Sequence, residues 1–358
     1  MRFARWSALA LAAVVLLGIT GCVEDSEDLQ FSHALGDLKS VPGVAAVIHS
    51  SIPLREATIV VAPGLSAAGM MSVRDRVSTL LAHDGLGTDD LHLRLQSGHD
   101  RISLTATDGA YRFLQQWAHR APAIGVHLIV GPTDTDSTGG SRVTVIVASK
   151  TDLLAGFALA QSAAADSATV GELATAASVT PDGNYQISLL TGSDQPSLIA
   201  VSSVLIADHR LIGMVTGPGI LETDTAVTIG IRSQSDVAAA YNRYSSEFAK
   251  LPGSELQGID APRLKLTLID GDIPPAATID ALRMALATGA VSGEVDLGDD
   301  TSDGSSLEFV TSSPAEVKTL NALARRHPEF RNLAGFMVFL EHDNGTHEEW
   351  NFGKPVSG

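Results

Sequence analysis

The chain has 358 residues, a formal charge of −17 and 44% apolar residues. That acidity argues against nucleic acid as a partner and gives no electrostatic attraction to an anionic membrane surface. A single cysteine excludes an intrachain disulfide framework, so stability must come from burying a core. The length suffices for more than one domain.

At the N-terminus, Arg2 and Arg5 precede an apolar run from Ala8 to about residue 17. The run is too short to span a bilayer, which takes about 20 apolar residues. A basic start, a short apolar centre and small residues after it make an export signal. It ends in Ile19-Thr20-Gly21-Cys22, which resembles the lipobox of bacterial lipoproteins. The resemblance covers residues 1–22 only. It implies that Ile19, Thr20 and Gly21 are read by the signal peptidase and that residues 1–21 are removed. It also implies that Cys22 carries a diacylglyceryl group on its sulfur as the first mature residue. Loss of Arg2 and Arg5 with the signal takes the charge to −19. Each buried CH₂ contributes about 0.8 kcal/mol, so two or three acyl chains hold a protein stably. Residues 22–28, with Glu24, Asp25, Glu27 and Asp28, form an acidic tether of at most roughly 20 Å.

Beyond the tether, Leu29, Leu35 and Leu38 predict a first helix, stopped by Pro42-Gly43. Residues 44–50 and 57–62 read as strands around Ile52-Pro53. Ser72 is expected to cap a helix with Val73, Val77, Leu80 and Leu81 on one face. Leu91, Leu93 and Leu95 alternate in a strand that Ile102, Leu104 and Ala106 answer. Asp108-Gly109 opens a helix with Phe113, Leu114 and Trp117, ended by Pro122. Strands at 126–130 and 143–148 flank a polar loop, and Thr151 is expected to cap the helix of Leu153, Leu154 and Phe157. The fourth hairpin is placed at 168–173 and 185–190, with a turn signal in Pro181-Asp182-Gly183.

Leu198, Val201 and Leu205 define the next helix, and 211–216 with 226–231 the fifth hairpin. Val237, Tyr241, Tyr244 and Phe248 share a helical face, followed by strands at 256–259 and 264–269. Ile279, Leu282 and Leu286 make another helix, and strands at 291–297 and 307–310 bracket an acidic turn. Ser313-Pro314-Ala315-Glu316 combines an N-cap, Pro at the first helical position and a capping-box Glu. Strands at 336–340 and 348–352, joined through Asn344-Gly345, finish the chain.

The order helix–strand–strand thus recurs about eight times at a spacing of roughly 40 residues, without sequence identity between units. The expected class is α+β: tandem units paired in ferredoxin-like fashion, helices on an antiparallel sheet. Residues 29–192 and 193–358 are expected to form an N-terminal and a C-terminal lobe. A doubly wound parallel sheet would want one strand per helix, and the recurrent hairpins argue against it.

Candidate chemistry is sparse. Gly64-Leu65-Ser66-Ala67-Ala68-Gly69 lacks the spacing of a nucleophile elbow and reads as a strand-to-helix loop. Asp296, Asp299, Asp300 and Asp303 offer hard oxygen ligands of the kind calcium takes, but in no EF-hand pattern. His342 and His347 flank a turn beside Glu348 and Glu349, without a third zinc ligand. His83, His119 and His209 are placed in last helical turns, where a cation suits the dipole. No catalytic residue, cofactor or metal is expected. The reading is a lipid-anchored protein facing the extracytoplasmic side of the cell membrane: a non-enzymatic binding or interaction module with an envelope protein partner. The alternative is a ligand-binding lipoprotein serving a transporter, with a cleft near residues 191–194.

Overall fold

A computed structural model describes residues 26–352 except 50–55, 88–90, 119, 130–140, 166–173, 191–194, 219–224, 252–255, 263, 270–275, 288–292, 298–305, 328–329, 331–332, 334 and 343–345. The fold is mixed α+β, with eight α-helices among the described residues. Two compact units divide the chain: Met1–Ala118 with His127–Gly139, and His119–Val126 with Gly140–Gly358.

In the first unit, α1 (Ser26–Leu38), which takes in residues 26–28 of the expected tether, is followed by β1 (Val44–His49) and β2 (Glu56–Val61). Then come α2 (Ala67–His83), β3 (His92–Ser97), β4 (Asp100–Ser103) and α3 (Asp108–Trp117), with His127 to Ile129 of β5 (Ala123–Ile129). Each hairpin pairs antiparallel, whereas the strands joined through a helix, β2 with β3 and β4 with β5, pair parallel. The sheet is therefore mixed, not antiparallel. The reason is geometric: a helix returns the chain to the end from which the previous strand started, so the next strand runs the same way. Strand order is chain order, β1 to β5. A split βαβ leaves room for an interleaved strand; these crossovers do not, so the ferredoxin-like pairing is not the one observed.

Alternation decides which face the helices cover. Ile59, Leu95, Ile102 and Leu128 lie in register across four strands and are all fully buried. Val73, Val77 and Leu81 of α2 and Tyr111, Leu114 and Trp117 of α3 are buried with them. The other face carries Thr58, Arg94, Gln96, Arg101 and His127, partly exposed. α2 starts earlier than Ser72. Ser66 is the N-cap, its hydroxyl accepting from the Gly69 amide at 3.2 Å, because a short polar side chain there satisfies an otherwise orphaned donor.

The second unit continues the order through β6 (Ser141–Val147), α4 (Leu153–Ala165), β7 (Ala174–Val179), β8 (Tyr185–Leu190), α5 (Gln195–Ala207), β9 (Leu211–Pro218) and β10 (Thr225–Ile231). After it come α6 (Val237–Phe248), β11 (Leu256–Ala261), β12 (Leu264–Ile269), α7 (Ala276–Ala287) and β13 (Gly293–Leu297). Parallel and antiparallel pairs again alternate, and Met214, Ile229, Ile259, Leu266 and Val295 stand in register over five strands. A separate three-stranded sheet holds β14 (Ser306–Thr311), β15 (Gly335–Glu341) and β16 (His347–Asn351), with α8 (Pro314–Arg326) between β14 and β15. Phe336 gathers Phe309, Phe330 and Phe352 at 4.9–6.0 Å between ring centres.

Two local expectations are revised. The fourth hairpin starts at Ala174, while residues 168–173 lie outside the described residues. Its turn fixes the register: Asp182 accepts from Thr180 Oγ1 at 2.6 Å and from the Asn184 amide at 3.1 Å, so the strands must flank 180–184 directly. Before α4, Lys150–Asp152 form a 3₁₀ turn with Ser149, not Thr151, at the cap position.

Candidate functional site

The second unit contains a cavity of about 490 Å³ where the start of β9, the end of β10 and one face of α6 converge. Local folding places each wall. Leu211 pairs with Ile231 across the β9–β10 hairpin, so Arg210 and Arg232 leave it at the same end. Val237, Tyr241, Tyr244 and Phe248 turn the buried face of α6 inward, which leaves Asp236, Ala239 and Arg243 along the wall of the cavity with Ala240 and Tyr244. Leu211, Ile231 and Ala240 are themselves buried and give the cavity an apolar floor.

Asp208 organises the polar rim. Its carboxylate accepts from the Tyr244 hydroxyl at 2.6 Å and from the Arg210 amide at 2.9 Å. Arg210 Nε lies 3.7 Å and Arg243 Nη1 4.0 Å from the same carboxylate. These donors, the Tyr244 hydroxyl first, hold Asp208 below the usual carboxylate range. Burial, with the Asp208 hydrogen bond behind it, pushes the Tyr244 phenol up. The Arg243 guanidinium sits 5.9 Å from the Tyr244 ring centre, within cation–π range. Behind this rim, Lys150 Nζ donates to the Asp208 carbonyl at 3.2 Å and lies over the Tyr185 ring at 5.2 Å. The Tyr185 hydroxyl donates to the Leu211 carbonyl at 2.6 Å, tying the floor to β8.

The cavity is thus lined by three arginines and His209, with two carboxylates beside them, Asp236 in the wall and Asp208 at the rim, in a chain of net charge −17. Such a set is suited to holding an anion. His209 lies two residues past α5, in the cavity wall, rather than in a last helical turn. Arg210, Arg232 and Arg243 carry no motif. They come from a strand entry, a strand exit and a helix face, and only the hairpin register signals that the first two meet.

The residues singled out from sequence fare differently. Ile19, Thr20, Gly21 and Cys22 lie outside the described residues, as do Asp299, Asp300, Asp303 and the cleft expected at 191–194. His342 Nε2 meets Glu348 Oε1 at 3.1 Å, while His347 packs edge-on against Phe339 with 5.6 Å between ring centres. Among the described residues no group of three or more His, Cys, Asp or Glu is placed to hold a metal ion, and no helix is long and apolar enough to cross a membrane. Comparisons with protein family models, curated proteins and solved structures give no match.

Proposed function

We propose that the chain is an exported, lipid-anchored, non-enzymatic binding module of the cell envelope, facing the extracytoplasmic side. The observation that carries the anchor is Ile19-Thr20-Gly21-Cys22 at the end of a short apolar run, with the one cysteine of the chain at the acylated position. The acidic tether keeps the folded part close to, and electrostatically apart from, the lipid phosphates. The recurring helix–strand–strand order is read as about eight tandem units of one pattern. Metabolic labelling with a fatty-acid probe tests the anchor. Wild-type protein should be labelled and Cys22→Ser should lose the label; persistent labelling of the variant would refute it.

The second reading, a ligand-binding lipoprotein serving a transporter, is favoured by the cavity, whose volume falls within the ~300–1,000 Å³ of small-molecule sites. Affinity capture from membranes separates the two. A permease recovered with the protein supports delivery to a transporter, and a non-transporter envelope protein supports the interaction module.

A further inference from the structure

We propose that the cavity walled by Arg210, Arg232, Arg243 and His209 binds a phosphomonoester, the phosphate on the guanidiniums and the carbon skeleton on the Leu211–Ile231 floor. This deepens the binding-module reading and rests on it only in requiring a ligand; it does not depend on the anchor.

Charge sets the class. Three arginines against the two carboxylates of Asp236 and Asp208 leave the cavity an excess of positive charge, which disfavours cations, and a guanidinium fork matches phosphate oxygens in pairs. Position follows from how the cations are held. Arg210 and Arg243 are drawn toward Asp208, and Asp208 is itself fixed by the Tyr244 hydroxyl. Arg232 has neither a hydrogen bond nor an ion pair among the described residues, so its donors are available. Three guanidiniums suit a doubly charged tetrahedral head better than a single carboxylate, because each fork can take a different edge. The apolar floor then selects an organic ester over the bare ion. The volume admits a body several carbons long beside the phosphate.

A phosphomonoester has two sources here, a soluble metabolite or the headgroup of an anionic lipid in the membrane of the anchor. The test is calorimetric titration of the full chain, in neutral detergent, with phenyl phosphate and with inorganic phosphate. Phenyl phosphate is expected to bind saturably and more tightly than inorganic phosphate. Arg232→Gln, an exposed change, should weaken it about tenfold or more, the size of a lost charge-assisted contact, with an unaltered melting temperature. Arg232→Lys should recover only part of the loss, because the charge returns without the fork. Competition by phosphatidylcholine nanodiscs containing phosphatidic acid assigns the ligand to lipid; its failure assigns it to the soluble pool. Absence of saturable phenyl phosphate binding, or unchanged binding in both Arg232→Gln and Arg243→Gln, overturns the proposal. Binding retained in Cys22→Ser shows that site and anchor stand or fall separately.

Discussion

The hydroxyl of Tyr244, on α6, donates to the carboxylate of Asp208, at the end of α5, across 2.6 Å. This bond ties the helix that forms one cavity wall to the turn that leads into another, so it has a titration signature. Asp208 has a folded pKa below its unfolded value, near 4. Its stabilisation is therefore fully present above about pH 4 and is lost as pH falls through the folded value. Asp208→Asn should lower the melting temperature at neutral pH, and the gap from wild type should close on acidification below about pH 4. Thermal unfolding from neutral pH down to pH 2 checks this; a gap that stays constant would mean that the charge of Asp208 contributes nothing.

Arg74 plays a comparable part in the first unit. Its guanidinium meets Asp75 at 2.7 Å and Asp108 at 2.8 Å, donates to the Ala106 carbonyl at 3.3 Å, and lies 5.1 Å from the Tyr111 ring centre. Tyr111 is buried and donates to the Ser103 carbonyl at 3.2 Å, so one arginine links α2 to the start of α3 and the end of β4. Both carboxylates are more than half exposed, which limits each ion pair to about 0–1 kcal/mol. The cation–π contact and the packed stem add about 0.5–1 kcal/mol. Arg74→Ala should thus cost about 1–2 kcal/mol in urea unfolding. Arg74→Lys should recover less than half, since an ammonium cannot serve the two carboxylates and the ring at once.

Gly156 shows a different constraint. A Cβ there would lie 2.4 Å from Val147 Cγ1 and 2.5 Å from Ser178 Oγ, so α4 approaches β6 and β7 as closely as a bare backbone allows. Alanine in place of glycine mid-helix gains about 1 kcal/mol in propensity. Here the clash wins, because Val147 is fully buried and branched at Cβ and has nowhere to turn. Gly156→Ala should destabilise by about 1–3 kcal/mol. Ser178 makes the opposite case: its hydroxyl is fully buried with no hydrogen-bond partner among the described residues. Ser178→Ala removes an unpaid desolvation and should be neutral or stabilising by a few tenths to about 1 kcal/mol. A clear loss of stability in Ser178→Ala would point to a partner for that oxygen.

Element type was legible wherever apolar period and turn chemistry agreed. Val237, Tyr241, Tyr244 and Phe248 predict the buried face of α6, and all four are buried. The strand at 256–261, weakly patterned in sequence, forms because β10 and β12 supply partners on both sides. Pairing direction was less legible, since it depends on which strand a helix brings back beside which. Ala174-Thr175-Ala176-Ala177 is poor in β-branched residues, so β7 is set by the Asp182 turn and by burial rather than by propensity. The arginine cavity was not legible at all. Its residues are separated in sequence, none lies in a motif, and a lone arginine near a strand end ordinarily means solvent.

The best helix start in the sequence closes through a residue outside its four-letter motif. Ser313 Oγ accepts from the Glu316 amide at 3.4 Å, the forward arm of a capping box. The return arm runs through Thr311: its hydroxyl donates to the Glu316 carboxylate and accepts from the Ser313 amide, the latter at 3.0 Å. Thr311 is buried at the end of β14 while Ser313 and Glu316 are half-buried, so this relay joins strand to helix at a partly shielded position. Ser313→Ala should cost about 1 kcal/mol, the usual loss of an N-cap. Thr311→Val keeps the shape but strands two groups, an amide and a carboxylate, and should cost more, about 1–3 kcal/mol. Amide hydrogen exchange over the first turn of α8 gives a local readout. Protection should fall further in Thr311→Val than in Ser313→Ala. The reverse order would show that the serine, not the relay, starts the helix.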